Sequence, residues 1–165
     1  MRDRLVQTLR RRERMLHIRQ LQEDQAQQAL AVVLRQEEQL KEEKARAQAI
    51  QFQAQQRIAE RFRRPGETIA SEELLLHRNQ ILTAQLLEQE IEAAIQALQP
   101  EIQRRRQEVV RRHQLRRMME VLTEKTRNLL RQEDQRIEQA GLDDLVAQRF
   151  AVDALSSENG DGSTP

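Results

Sequence analysis

From Ser71 to about Phe150, leucine, isoleucine, valine and methionine recur every three or four residues, with glutamine, glutamate and arginine between them. That spacing draws one apolar stripe along a helix. The stretch holds a single proline, Pro100, and a single glycine, Gly141. A helix of this length is about 120 Å long at about 1.5 Å per residue. It cannot be wrapped by a small globular core, so it needs a second long helix beside it. Upstream, Leu5, Leu9, Leu16, the run Ala29–Leu34, Leu40, Ala47, Ile50, Ala54, Ile58 and Phe62 supply a matching stripe. That stripe reads as slipping from a strict heptad near Glu23 and Glu37, where apolar residues are missing.

Arg63, Arg64, Pro65 and Gly66 mark the end of the first helix and a turn. Asp3 and Ser71 are candidate N-caps. The expected fold is all-α: a long antiparallel two-helix coiled-coil hairpin with a disordered C-terminal tail. Its bounds are a hairpin over 1–155, with helix 1 about 3–64, a turn about 65–71 and helix 2 about 72–152. The tail is 156–165, which has no apolar residue to bury. Doubling back near residue 67 or 68 pairs positions whose numbers add to about 135. Leu16 then meets Met119, Val33 meets Ile102 and Leu40 meets Ile95. Leu30 meets Arg105, a mismatch that leaves room for a shifted register. Helix 2 outruns helix 1 by roughly its last twenty residues. Pro100 either kinks helix 2 or starts a new segment, and the stripe from Leu98 to Ile102 favours the kink. Gly141 is either a stop or an interior glycine.

Composition narrows the function. The chain of 165 residues is 33% charged and 2% aromatic, with net charge +1 and no cysteine. Such a chain builds a narrow seam and carries neither disulfides nor thiol chemistry. A net charge this small exerts no overall pull toward nucleic acid or anionic lipid. No apolar run resembles a signal peptide or a membrane span, which suggests a soluble, cytoplasmic protein. No phosphate-binding loop is present. His17, His77 and His113 lie far apart in sequence, without ligand spacing. No catalytic, cofactor-binding or metal-binding residue is therefore expected, and neither an enzyme activity nor a small-molecule substrate.

Two surface signals remain. Basic residues cluster at Arg10, Arg11, Arg12 and Arg14, at Arg104–Arg106, and at Arg111, Arg112, Arg116 and Arg117. They read either as a solvated face laced with pairs such as Glu37–Lys41, Glu101–Arg105 and Glu108–Arg112, or as a partner contact. Acidic neighbours and missing aromatics argue against nucleic acid. Near the turn, Leu74, Leu75, Leu76, Ile81 and Leu82 are wider than one seam can bury. Phe62 and Ile69 either fold over them or leave a docking surface.

The second half resembles the FliJ family of flagellar export proteins and the related stalk proteins of virulence type III secretion. The likeness rests on the basic run through Arg116-Arg117, on Met119–Lys125, on Arg131-Gln132-Glu133, and on Glu138-Gln139 with Leu142-Asp143-Asp144 through Phe150. The opening RLVQTLRRRERM adds to it. Pro100, the missing tyrosines and the longer tail depart from the family pattern. The resemblance implies a non-enzymatic stalk and adaptor at the inner face of the cell membrane, with no cofactor. Its implied partners are a hexameric export ATPase, an export-gate membrane protein and export chaperones. It further implies ATPase contacts at Leu5, Leu9, Arg10, Arg11, Arg12, Glu138, Gln139, Asp143, Asp144 and Phe150. Gate or chaperone contacts would fall at Leu74, Leu76, His77 and Ile81. The isolated chain is expected to be monomeric, and a generic coiled-coil scaffold is the alternative from another class.

Overall fold

A computed structural model describes residues 1–66 and 68–158, with side chains described as far as Asp153. Two α-helices account for nearly all of them: α1 (Arg2–Phe62) and α2 (Ser71–Glu158). They pack together as an antiparallel hairpin, and the described residues contain no strand. α2 stays helical to Glu158; the rest of the expected tail, 159–165, lies outside the described residues.

α1 begins at Arg2 and α2 at Ser71, so neither expected cap precedes its helix. Leu5 N–H donates to Met1 O and Leu74 N–H to Ala70 O, so Asp3 and Ser71 sit inside the first turn. Arg63 N–H bonds back to Ala59 O as α1 ends. Gly66 then takes φ +84°, a left-handed conformation that side-chain-bearing residues avoid. Across the turn, Arg61 grips both carboxylate oxygens of Glu73, at 3.1 and 3.3 Å. This planar fork fixes how the chain re-enters α2.

The chain divides into two compact units. One, here the turn unit, is Gln22–His113; the other, the terminal unit, joins Met1–Leu21 to Gln114–Pro165. Within the turn unit, Glu23–His113, Glu37–Gln99, Lys44–Glu92 and Gln48–Glu88 bond across the helices. The residue numbers in each pair add to 136, while Gln22–Arg112 and Arg61–Glu73 add to 134. The pairing is thus centred on 135, the register the apolar residues predict. Val33 falls opposite Ile102 and Leu40 opposite Ile95, and all but half-buried Leu40 are buried.

The expected slip in the seam does not occur. Among the shielded positions in this part of α1, Glu23, Ala26, Leu30, Val33, Glu37, Leu40, Lys44, Ala47, Gln51, Ala54, Ile58 and Arg61 form one series, stepping three then four throughout. That is an unbroken heptad in which polar residues hold several seam positions. Glu23 is 7% exposed, yet it accepts a hydrogen bond from His113 Nδ1 at 3.0 Å. Ala47 and Ala54, each 2% exposed, carry no side chain beyond Cβ, so the neighbouring helix covers them fully. Leu30 opposite Arg105 is tolerated because the Arg105 guanidinium turns back to Glu101 at 2.8 Å. Its methylene stem is then free to shield the leucine.

Pro100 starts no new element: α2 is helical on both sides of it, and its heptad passes through Leu98 and Ile102 without a phase change. Pro100 is exposed, so the Gln96 carbonyl that loses its usual donor lies on the solvent side. Gly141 is an interior glycine of α2, not a stop.

Candidate partner-binding surfaces

In the terminal unit, Leu5, Leu9 and Leu16 of α1 are half-buried facing α2. Arg12 shares that face. Its guanidinium donates to Leu122 O at 2.7 Å and to the Thr126 hydroxyl. Thr123 and Thr126, 1% and 2% exposed, return their own hydroxyls to Met119 O and Leu122 O. Small hydroxyl side chains on α2 therefore leave room for an inward-pointing arginine on α1. Arg12 is used inside the hairpin, unlike Arg10 and Arg11, which are exposed. Nothing in the run of arginines separates these roles; only the heptad step from Leu9 to Leu16 through position 12 marks Arg12.

Two ion pairs tie this unit together, Glu13–Arg127 at 2.9 Å and Arg2–Asp134 at 2.6 Å. Asp134 holds the Arg2 guanidinium more firmly protonated, and Glu13 does the same for Arg127. Beyond Asp134, α2 has no stretch of α1 beside it. Every residue from 135 to 153 is exposed, including the sequence-predicted Glu138, Gln139, Asp143, Asp144 and Phe150. Leu142, Leu145, Val146 and Phe150 recur at helical spacing, which lines them along one face of this overhang. The same segment carries Glu138, Asp143, Asp144 and Asp153 against two cations, Arg136 and Arg149.

The outer face of the first turns of α1 has the opposite sign. Arg4, Arg10, Arg11 and Arg14 make no ion pair among the described residues. They surround a shallow depression that also touches Met15 and Ile18, both exposed. The α2 clusters behave differently. Arg104 and Arg105 pair with Glu101, Arg112 with Glu108, and Arg116 and Arg117 with Glu120. Together with Glu37–Lys41 at 3.1 Å, the three pairs expected from spacing are all present.

At the turn, the four residues implied as gate contacts do not share a surface. His77 is buried and Ile81 half-buried at positions facing α1, and Leu74 stands at the edge of that seam. Leu76 instead lines an apolar groove with Ala47, Ile50, Thr83 and Leu87. Leu75, Leu82 and Leu86 form a second exposed stripe on the back of α2. Phe62, 69% exposed, does not cover them.

In comparisons with known proteins, the chain matches no protein-family model, no curated protein and no solved structure. The reading of its surfaces therefore rests on their own chemistry. No group of three His, Cys, Asp or Glu among the described residues could hold a metal ion. None of the described helices is long and apolar enough to cross a membrane. What the molecule offers is a set of exposed helical faces: an acidic, leucine-lined overhang, a basic face on α1, and an apolar strip near the turn.

Proposed function

We propose that this chain is a non-enzymatic stalk and adaptor of a type III protein export apparatus, of the flagellar kind. In this reading it works at the cytoplasmic face of the membrane. It promotes assembly and activity of a hexameric export ATPase and links that ring to the export gate and to chaperones. The observation that supports the reading most is the asymmetry of the hairpin. α1 and α2 pair through Arg2 and Asp134, and α2 then runs on, wholly exposed, through a Leu- and Asp-bearing segment. An amphipathic helix that projects past its own partner is suited to insert into another assembly. The resemblance implies half of its ATPase contacts, Glu138, Gln139, Asp143, Asp144 and Phe150, on this same segment.

The test is a pull-down with the export ATPase, together with ATPase rates measured with and without the chain. Binding and a raised rate support the proposal, and no binding with an unchanged rate overturns it. The equivalent stalk of a virulence secretion system is the nearest alternative, separated by whether the flagellar or the virulence ATPase responds. A free-standing coiled-coil scaffold predicts that neither does.

A further inference from the structure

The terminal unit carries two exposed faces that complement each other and cannot meet within one chain. The overhang is leucine-lined, with Glu138 and Asp143 flanking the face of Leu142, Leu145 and Phe150, and with Arg149 as the cation on that face. The outer face of α1 is basic and apolar, with Arg4, Arg10, Arg11 and Arg14 beside Met15 and Ile18. The Arg2–Asp134 pair sets the level at which α1 begins, and the overhang projects away from that level while the basic face lies behind it.

We propose that the overhang of one copy docks on the outer face of α1 in a second copy, reciprocally, to give a twofold symmetric dimer joined through the two terminal units. A two-fold axis across the abutting ends lays each overhang parallel to the partner's α1, and one patch pair is used twice. Lengths match. Residues 135–153 extend about 28 Å and residues 4–21 about 27 Å. With the ends abutting, residue 134 + n of one copy comes level with residue n of the other. Glu138 then stands by Arg4, Asp143 close to the level of Arg10, and Phe150 between Met15 and Ile18. Carboxylates meet guanidiniums, and leucines and the phenylalanine leave water against methionine and isoleucine. A monomer was the expectation because one chain satisfies its own seam. The seam is satisfied, but these two faces are not. The interface also covers surface that the proposed stalk would present to the ATPase, so the two associations would compete.

The test uses the full chain alone, so it can fail independently of any ATPase experiment. Light scattering and sedimentation across the micromolar range should find about twice the 19.5 kDa chain mass, weakening as salt screens the pairs. Leu142→Asp with Leu145→Asp, both on the exposed overhang, should give a monomer of unchanged helicity. Reversing Arg4, Arg11 and Arg14 to Glu should raise the dissociation constant about tenfold or more. Reversing Glu138 and Asp143 to Arg in the same chain should restore the dimer. The chain has no cysteine, so Thr8→Cys with Leu142→Cys reports placement directly. Within one chain these positions stand about 21 Å apart along the axis, far beyond disulfide reach, so oxidation should link two chains. A monomer at every concentration overturns the proposal. So does a dimer that ignores the overhang substitutions and charge reversals, or one that forms without the cross-link.

Discussion

Glu23 and His113 meet across the helices of the turn unit, with 3.0 Å between the carboxylate and Nδ1, at a position where a coiled coil ordinarily places an apolar side chain. The adjacent Gln22 accepts from Arg112 at 3.2 Å. Glu23 is buried while the His113 ring stays half-exposed, and this arrangement restricts register, because any slip leaves a desolvated carboxylate without its donor. Glu23→Ala should lower stability by about 1–3 kcal/mol, read from urea unfolding followed by circular dichroism. Glu23→Leu should recover part of that loss while broadening the unfolding transition. Full retention of stability in Glu23→Ala would show the pair to be idle.

Apolar burial is confined to a few layers, so each should matter. Ile102 is 1% exposed, whereas Val110, on the same helix, is 55% exposed. Ile102→Ala should cost about 2–4 kcal/mol, and Val110→Ala less than about 0.5 kcal/mol. Thermal melts of the two variants side by side check the contrast. Equal effects would mean that the hairpin is held by something other than its seam.

The two described glycines should respond to alanine with opposite signs. Gly66 holds φ +84° in the turn, where a Cβ is strained however much space surrounds it. Gly141 is helical, with nothing within 4 Å of an added Cβ. Gly66→Ala should destabilise the hairpin by about 1 kcal/mol. Gly141→Ala should raise helix content in the overhang by a comparable amount, about 1 kcal/mol. Helicity from circular dichroism and amide exchange near residue 141 separate these outcomes.

Pro100 should likewise be a site of latent stability. It is exposed and interrupts an otherwise continuous hydrogen-bond ladder. Pro100→Ala should stabilise the chain by roughly 1–3 kcal/mol, raising the melting temperature without moving the Glu37–Gln99 contact beside it. A lower melting temperature would mean that the proline shapes the seam.

The hairpin and its register were legible because Leu16, Val33 and Leu40 have apolar partners at one common sum. What misled was reading polar residues as breaks in the pattern. Glu23 and Glu37 keep the heptad phase; they find hydrogen-bond partners, His113 and Gln99, that no one-dimensional pattern exposes. The exposed overhang was equally legible, since helix 2 is simply longer. Among Arg10, Arg11 and Arg12 only heptad position marks the inward one, because the partners of its guanidinium, the Leu122 carbonyl and the Thr126 hydroxyl, lie over one hundred residues away in sequence. At the turn, a cluster of leucines revealed surplus apolar area but not which of them α1 covers.

Acid should weaken the hairpin through three carboxylates. Gln99 and Lys41 hold the Glu37 carboxyl below its usual range, Lys44 and Gln96 do so for Glu92, and Arg136 does so for Glu133. A carboxyl whose pKa is lower folded than unfolded stabilises the fold above its unfolded value. That contribution is lost as pH falls through the folded value. The melting temperature should therefore be level from neutral pH to about pH 5 and fall below it, through the glutamate range near 4.3. Glu37→Gln with Glu92→Gln keeps side-chain size and removes two of the three ionisations. This double variant should start less stable at neutral pH and lose less on acidification. Glu92 and the Lys41 partner of Glu37 are solvent-facing enough that salt should shrink the difference between the two chains. A double variant with the same acid profile as the parent would place the sensitivity in other groups.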